Sequence, residues 1–192
     1  MNIYHFKEKI YKIISNPLYK FFFKGYGENV LIYKPLKIQG FKNIEIGNNV
    51  IIQYKTWLAA NRLTGFNCSL KIGDGTNIGN FNHIFATRSI TIGKNVLTAD
   101  KVYISDNLHS YKNIHLPIMK QPIKQILDVS IGDGTWLGEN VCVIGAKIGN
   151  NCVIGANSVV TKDIPNYCIA VGSPAKVIKR YNLQSKDWVN VS

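Results

Sequence analysis

The chain has 192 residues, 46% hydrophobic and 18% charged, enough for one domain with a buried core. A formal net charge of +12 favours an anionic partner, but no RNA- or DNA-reading motif is present, so nucleic acid is not an expected partner. Cys68, Cys142, Cys152 and Cys168 lack metal-ligand spacing, and nothing reads as a signal peptide. The expectation is therefore reduced thiols, no metal site and a cytoplasmic location.

In chain order, residues 1–24 come first. Ile3, Phe6, Ile10, Ile13 and Ile14 recur at helical spacing with Lys7, Lys9 and Lys12 between them, until Asn16-Pro17 interrupts the spacing. Leu18-Tyr19-Lys20-Phe21-Phe22-Phe23-Lys24 follows, and no apolar run reaches the length of a membrane span. This segment is expected to be a short helical cap over the end of the domain that follows, whose strand edges would otherwise lie open. Its basic and aromatic character also suits peripheral contact with the inner face of a membrane.

From residue 25 to about 180 a six-residue unit repeats. An aliphatic residue, a spacer and Ile-Gly recur at Ile44–Gly47, Leu70–Gly73, Ile90–Gly93 and Val129–Gly132, with Ala146–Gly149 as a fifth copy. Ile, Leu or Val returns every sixth residue in Ile72-Ile78-Ile84, Ile131-Leu137-Val143 and Ile148-Ile154-Val160. That period fits neither a helix nor a flat strand, but it fits a solenoid of short strands and corners. Gly, Asn and Asp after each Ile suit corners of positive φ. Val50, Thr76, Val96, Val102, Thr135, Val141, Cys152 and Ser158 fill a second, small inward slot. The fold expected is all-β, a parallel β-helix of about six coils, roughly 28 Å long at the usual strand spacing.

Three units make a coil of eighteen residues, so spacing between Ile-Gly copies exposes the irregularities. Ile46 to Ile72 is eight residues too long, Ile92 to Ile131 is 21 too long, and Ile131 to Ile148 is one short. The large surplus predicts a loop over about 106–129, and a loop of that length in a compact domain usually carries function. The missing residue, near Val143–Lys147, either tightens a corner or shifts inward-facing residues. Residues 181–192 form a C-terminal tail.

The densest motifs are Ile131-Gly-Asp-Gly-Thr-Trp136-Leu-Gly-Glu-Asn, Ile154-Gly-Ala-Asn-Ser-Val-Val-Thr-Lys-Asp-Ile-Pro165 and Ala170-Val-Gly-Ser-Pro174-Ala-Lys176. In these the chain resembles the hexapeptide-repeat, left-handed β-helix acyltransferases. It is most similar to the bacterial O-acetyltransferases of O-antigen and capsule sugars, relatives of galactoside and maltose O-acetyltransferases. The resemblance implies the left-handed coil, acetyl-CoA as co-substrate, no metal, and a homotrimer whose sites are shared between neighbouring subunits.

The resemblance also points to site residues. In Asp106-Asn107-Leu-His109 the family usually has Asp-His-x-His, with the second histidine as catalytic base, and an imidazole suits acceptance of a hydroxyl proton near neutral pH. The first histidine is Asn107 here. Asn82, in an inward slot of Asn80-Phe-Asn82-His83, matches an acceptor-binding asparagine, although a stacked amide serving the coil fits the same slot. His83 beside it could face the acceptor. Trp136 matches a tryptophan lying against the thioester end of the cofactor, and the backbone N–H of Glu139 a donor to the oxyanion. Ala156, Thr161, Lys162, Lys176 and Lys179 match coenzyme A contacts, the lysines meeting phosphate as point charges. Glu139, Asp106 and Asp128 are the carboxylates available to orient His109.

The reading is acetyl transfer from acetyl-CoA to a sugar hydroxyl in surface-polysaccharide synthesis, directly and with His109 as base. Three others stay in competition. One is N-acetylation of a nucleotide-linked amino sugar. Another is a γ-type carbonic anhydrase, for which the gaps between His83, His109 and His115 do not match. The last is a non-enzymatic binding solenoid.

Overall fold

The computed structural model describes residues 3–65 and 67–191, with side chains from Ile10 onward. Met1, Asn2 and Ser192, and the side chains of Ile3, Phe6, Lys7 and Lys9 in the predicted cap, lie outside the described ones. After one helix, α1 (Ile3–Phe22), the chain winds into a three-faced prism of parallel strands. Face A runs from Gly25–Tyr26 to Lys147–Ile148, face B from Leu31–Ile32 to Cys168–Val171, and face C from Lys37–Gln39 to Val159–Val160. Each complete coil contributes one strand to each face. Past the last coil, Lys176–Asn182 and Asp187–Asn190 extend face B antiparallel.

The repeat works as its spacing predicts. Ile72, Ile78, Ile84, Ile131, Leu137, Val143, Ile148, Ile154 and Val160 are buried along the axis, and so are all eight residues of the small slot. The corners refine the reason for glycine. Positive φ belongs to the third corner residue, as at Asn49 (56°), Gly75 (69°) and Asn151 (49°). The first glycine is there for space: a Cβ on Gly47 would lie 2.4 Å from Asp74 Oδ1 of the next coil.

That oxygen belongs to a ladder. At the corner between faces A and B, an Asn or Asp side chain accepts the backbone N–H of the corner one coil earlier. Glu28 donates to Asn48, Asn48 to Asp74, Lys94 to Asp133, Asp133 to Asn150 and Asn150 to Asn166, at 2.7–2.9 Å. Corner N–H groups have no partner within their own coil, so this ladder satisfies donors that strand pairing cannot reach.

The three faces differ in what they turn outward. Face A shows Glu45, Lys71, Thr91, Ser130 and Lys147 in register. Face B shows Ile51, Asn77, Leu97, Trp136 and Val153, with Leu97 and Trp136 46% and 47% exposed. Face C shows Trp57, His83, Tyr103, Cys142 and Val159. One face is charged and two are largely apolar.

One sequence expectation is corrected and one open alternative is decided. Asn16-Pro17 does not end the helix, which runs through Pro17 to Phe22. Tyr19 and Phe23 anchor that end on the core, and Asn16 gives its amide to Val30 O, so docking outweighs the lost N–H of proline. The missing residue near Val143–Lys147 tightens a corner and shifts nothing: Ser130 and Ile131 pair in register with Lys147 and Ile148. Gly145, at φ 57°, makes that tight corner.

Candidate active site

The predicted long loop leaves at the corner between faces C and A, after Tyr103–Ser105. It begins as an antiparallel hairpin in which Asn107, Leu108 and His109 pair with Gln125, Lys124 and Ile123. The tip closes around buried Gln121, whose amide donates to Asn113 O and Leu116 O at 2.9 and 3.0 Å.

The hairpin root is built on Asp106, a fully buried carboxylate. One oxygen accepts the N–H of Thr87 at 2.8 Å, and the other accepts those of Arg88 and Ser89 at 2.7 and 2.8 Å. Burial opposes the charged form, but these donors and the Asn107 amide outweigh it and hold the pKa below the usual carboxylate range. Asn107, standing where the family has histidine, gives its amide to Phe85 O and Asp106 Oδ1 at 3.1 and 3.0 Å. On the return strand, Gln125 donates to Asp106 O and accepts from Thr64 and Thr87. Arg88 binds Asp128 at 2.6 Å. All three carboxylates considered for orienting His109 are thereby engaged elsewhere, since Glu139 binds Lys101 at 3.0 Å. His109 is exposed, and among the described residues nothing hydrogen-bonds its imidazole.

A second group gathers at the corner between faces B and C. Here the side-chain ladder starts as at the other corner: Tyr54 N–H donates to Asn80 and Asn80 N–H to Asp100. The next two residues in the stack are Glu139 and Ala156. Glu139 turns its carboxylate to Lys101, and Ala156 has none to offer. Among the described residues the backbone N–H of Glu139 consequently has no acceptor. Ala156 packs directly on this corner, where a Cβ on Gly138 would lie 2.7 Å from its N.

Other predicted residues fall into place by face. Asn82 is buried, donates to Asn80 O and Ala99 O at 3.2 and 2.9 Å, and accepts from Thr98 at 3.1 Å. Both amide hydrogens are spent on the coil and the residue is buried, which favours the stacked reading over the acceptor one. His83 stacks on Trp57 at 4.1 Å and 8°, flanked by Phe85 and Tyr103. Burial lowers its pKa, and its Nε2 is buried without a partner among the described residues. Thr161 and Lys162 follow Val159–Val160 at the corner between faces C and A, where His109 also leaves, but two coils further on. Strand alternation turns Lys176 and Arg180 outward together, while Lys179 lies on the other side with Val177 and Tyr181. The predicted lysine pair therefore does not share a face, and Arg180 joins Lys176 instead. His83, His109 and His115 do not converge, and no trio of His, Cys, Asp or Glu among the described residues could hold a metal ion.

A family model described as the hexapeptide repeat of succinyl-transferase matches residues 128–162. The galactoside O-acetyltransferase of Escherichia coli K12 is 32% identical over 172 residues, which cover 89% of this chain and 70% of that protein. The chain belongs to the hexapeptide-repeat acetyltransferases. A putative lipopolysaccharide biosynthesis O-acetyl transferase of the same organism, WbbJ, is 42% identical over 124 residues, 60% of this chain. That match spans 62% of WbbJ, less than two thirds of its length. Among solved structures, the N-acyltransferase AntD of Bacillus cereus superposes with a TM-score of 0.72 over 89% of this chain and 90% of that one, at 20% identity. That likeness concerns the fold alone, the left-handed parallel β-helix.

Proposed function

We infer that the protein transfers acetyl from acetyl-CoA to a sugar hydroxyl of a surface polysaccharide or its precursor. The observation that carries this reading is His109, an exposed and unpaired imidazole on a hairpin whose root is fixed by a buried carboxylate. Fixed backbone and free ring are what a general base needs, because catalysis depends on its position. The acceptor hydroxyl attacks the thioester carbonyl as its proton passes to His109 Nε2 or Nδ1. The new C–O bond leaves an oxyanion, which the free N–H of Glu139 stabilises. Collapse breaks the C–S bond, and the imidazolium returns its proton to the departing thiolate. No covalent acyl-enzyme is needed.

In one copy, His109 and the Glu139 corner lie on opposite edges of face C. Two apolar faces beside one charged face favour an assembly in which neighbouring copies cover faces B and C. Heterologous contacts close into a ring when the rotation closes, and the family resemblance implies a ring of three. In it, His109 of one copy works with Trp136 and Glu139 of its neighbour. Trp136, half exposed on face B, shields the thioester from water, and His83 with Trp57 offers a flat aromatic surface to the acceptor. Lys162, Lys176 and Arg180 meet the phosphates of coenzyme A, and Thr161, Ala156 and Lys179 line its path. The reaction belongs in the cytoplasm, where acetyl-CoA is available.

Thiol release from acetyl-CoA, followed with hydroxyl-only glycans and with nucleotide amino sugars, tests the reading. Release with hydroxyl acceptors, abolished in His109→Ala, is expected. Release with amino sugars alone would make the protein an N-acetyltransferase, and no release with any acceptor would leave a binding solenoid.

A further inference from the structure

α1 docks the wrong way round for a surface helix. Such a helix ordinarily turns its apolar stripe to the core and its polar residues to water. Here the groups facing the first coil include Lys12, bonded to Asn29, and Asn16, which donates to Val30 O at 3.0 Å and accepts from Tyr26 at 2.9 Å. Tyr19 and Phe23 supply the apolar part of that contact. The opposite side carries Ile10, Ile13, Ile14, Leu18 and Phe21, with Ile13 and Phe21 73% and 76% exposed. These positions are spaced at three and four residues and form one continuous stripe.

Cations edge this stripe. Lys34 lines a shallow cleft with Ile10 and Ile14, and Lys42 donates to Phe21 O at 3.3 Å with its ammonium 5.8 Å from the Phe21 ring. Lys20 comes from the helix itself. Nearby Glu45 is already held by Lys24 and Lys71. An apolar stripe rimmed by lysines matches a bilayer surface with anionic headgroups, where side chains enter the acyl boundary and ammonium groups stay at the phosphates. A second copy of the chain is a poorer occupant, since its stripe would bring the same lysine rim against this one. No helix among the described residues is long and apolar enough to cross a membrane, so the contact is parallel to the surface.

We propose that α1 is a lipid-docking element that seats the enzyme on an anionic bilayer by its outward Ile10–Phe21 stripe. This is independent of the acetyl-transfer reading. Full-length protein is mixed with vesicles of phosphatidylcholine, with or without phosphatidylglycerol, and sedimented. Binding to anionic vesicles is expected, at least tenfold above that to neutral ones and reversed by salt. The double substitution Ile13→Glu with Phe21→Glu should reduce it at least tenfold while thiol release and the mass by light scattering stay unchanged. Wild-type protein that stays in the supernatant overturns the proposal, as does equal binding to neutral vesicles. A variant that still binds, or that drops to fewer copies, overturns it too, the latter because the stripe would then be a contact between copies.

Discussion

The two ladder-bearing corners of the prism are made of the same repeat and differ in how far the ladder runs. Between faces A and B, the side chains of Asn48, Asp74, Asp133, Asn150 and Asn166 each take up a corner N–H of the preceding coil. Between faces B and C the same ladder stops after Asp100, and Glu139 keeps a free N–H. The first corner skips one rung, where Lys94 offers the N–H of Asp74 no oxygen, and then resumes with Asp133. The second does not resume: among the described residues the N–H groups of Asp100 and Glu139 have no acceptor, at about 1 kcal/mol each. In a fold this regular, a broken rung is the informative place.

The comparison can be broken in several ways. His109→Ala should lower kcat by about 10²–10⁴, the usual share of general acid–base catalysis, with no change in melting temperature because the ring is exposed and unpaired. A wild-type rate would remove His109 from the chemistry. Ala156→Asn should close the open ladder by accepting Glu139 N–H, costing roughly 10²–10³ in kcat as for a lost oxyanion donor. Ala156→Val, which fills space without accepting, is the control. Equal losses in both would show that bulk, not the N–H, is at stake.

Mixed assemblies sharpen the shared-site reading. His109→Ala co-assembled with Trp136→Ala should regain activity in about a quarter of its sites by random assortment in a closed ring. No recovery would mean that both residues serve the same copy's site.

Asp106→Asn acts through position. It should cost about 2 kcal/mol, the scale of hydrogen bonds to a charged group, and lower kcat while the shape of the pH–rate profile stays unchanged. Because the folded pKa of Asp106 is depressed, its contribution is complete above the unfolded value near 3.9 and disappears as pH falls through the folded one. Protection of residues 107–125 against hydrogen exchange, taken relative to the intrinsic rate at each pH, should therefore fall below about pH 4 in the wild type, and should lack that pH step in the variant. The smallest effect is expected for His83→Phe. It keeps the stack on Trp57 and removes a buried nitrogen without a partner, so stability should hold or rise slightly. Because burial lowers the His83 pKa, wild-type stability should decline as pH falls below about 6.5, and this part of the decline should vanish in the variant.

Some of the site was legible and some was not, for stated reasons. The loop stood out because it disrupts an otherwise regular count of residues, and the family resemblance singled out His109 at its root. Glu139 and Ala156 could be aligned with relatives, but that they interrupt a ladder depends on which residues stack, and coil surpluses hide that register. Asn82 is ambiguous in sequence because a buried amide and a ligand-binding amide are the same residue; its three hydrogen bonds decide for the coil. The direction of α1 was hidden as well, since helical spacing tells that a stripe exists and not which side of the helix meets the coil.

By itself the sequence determined the coil, because a six-residue period of aliphatic, small and corner-forming residues has one regular way to bury its apolar side chains. It also determined where the long loop leaves, since surplus residues cannot be absorbed in a stacked repeat. Only the tertiary structure decided which donors stay free, which carboxylates are already engaged and which faces remain uncovered. Those properties depend on neighbours a whole coil or more away in the chain, and hydrogen-bond capacity, once used by one neighbour, is withdrawn from every other.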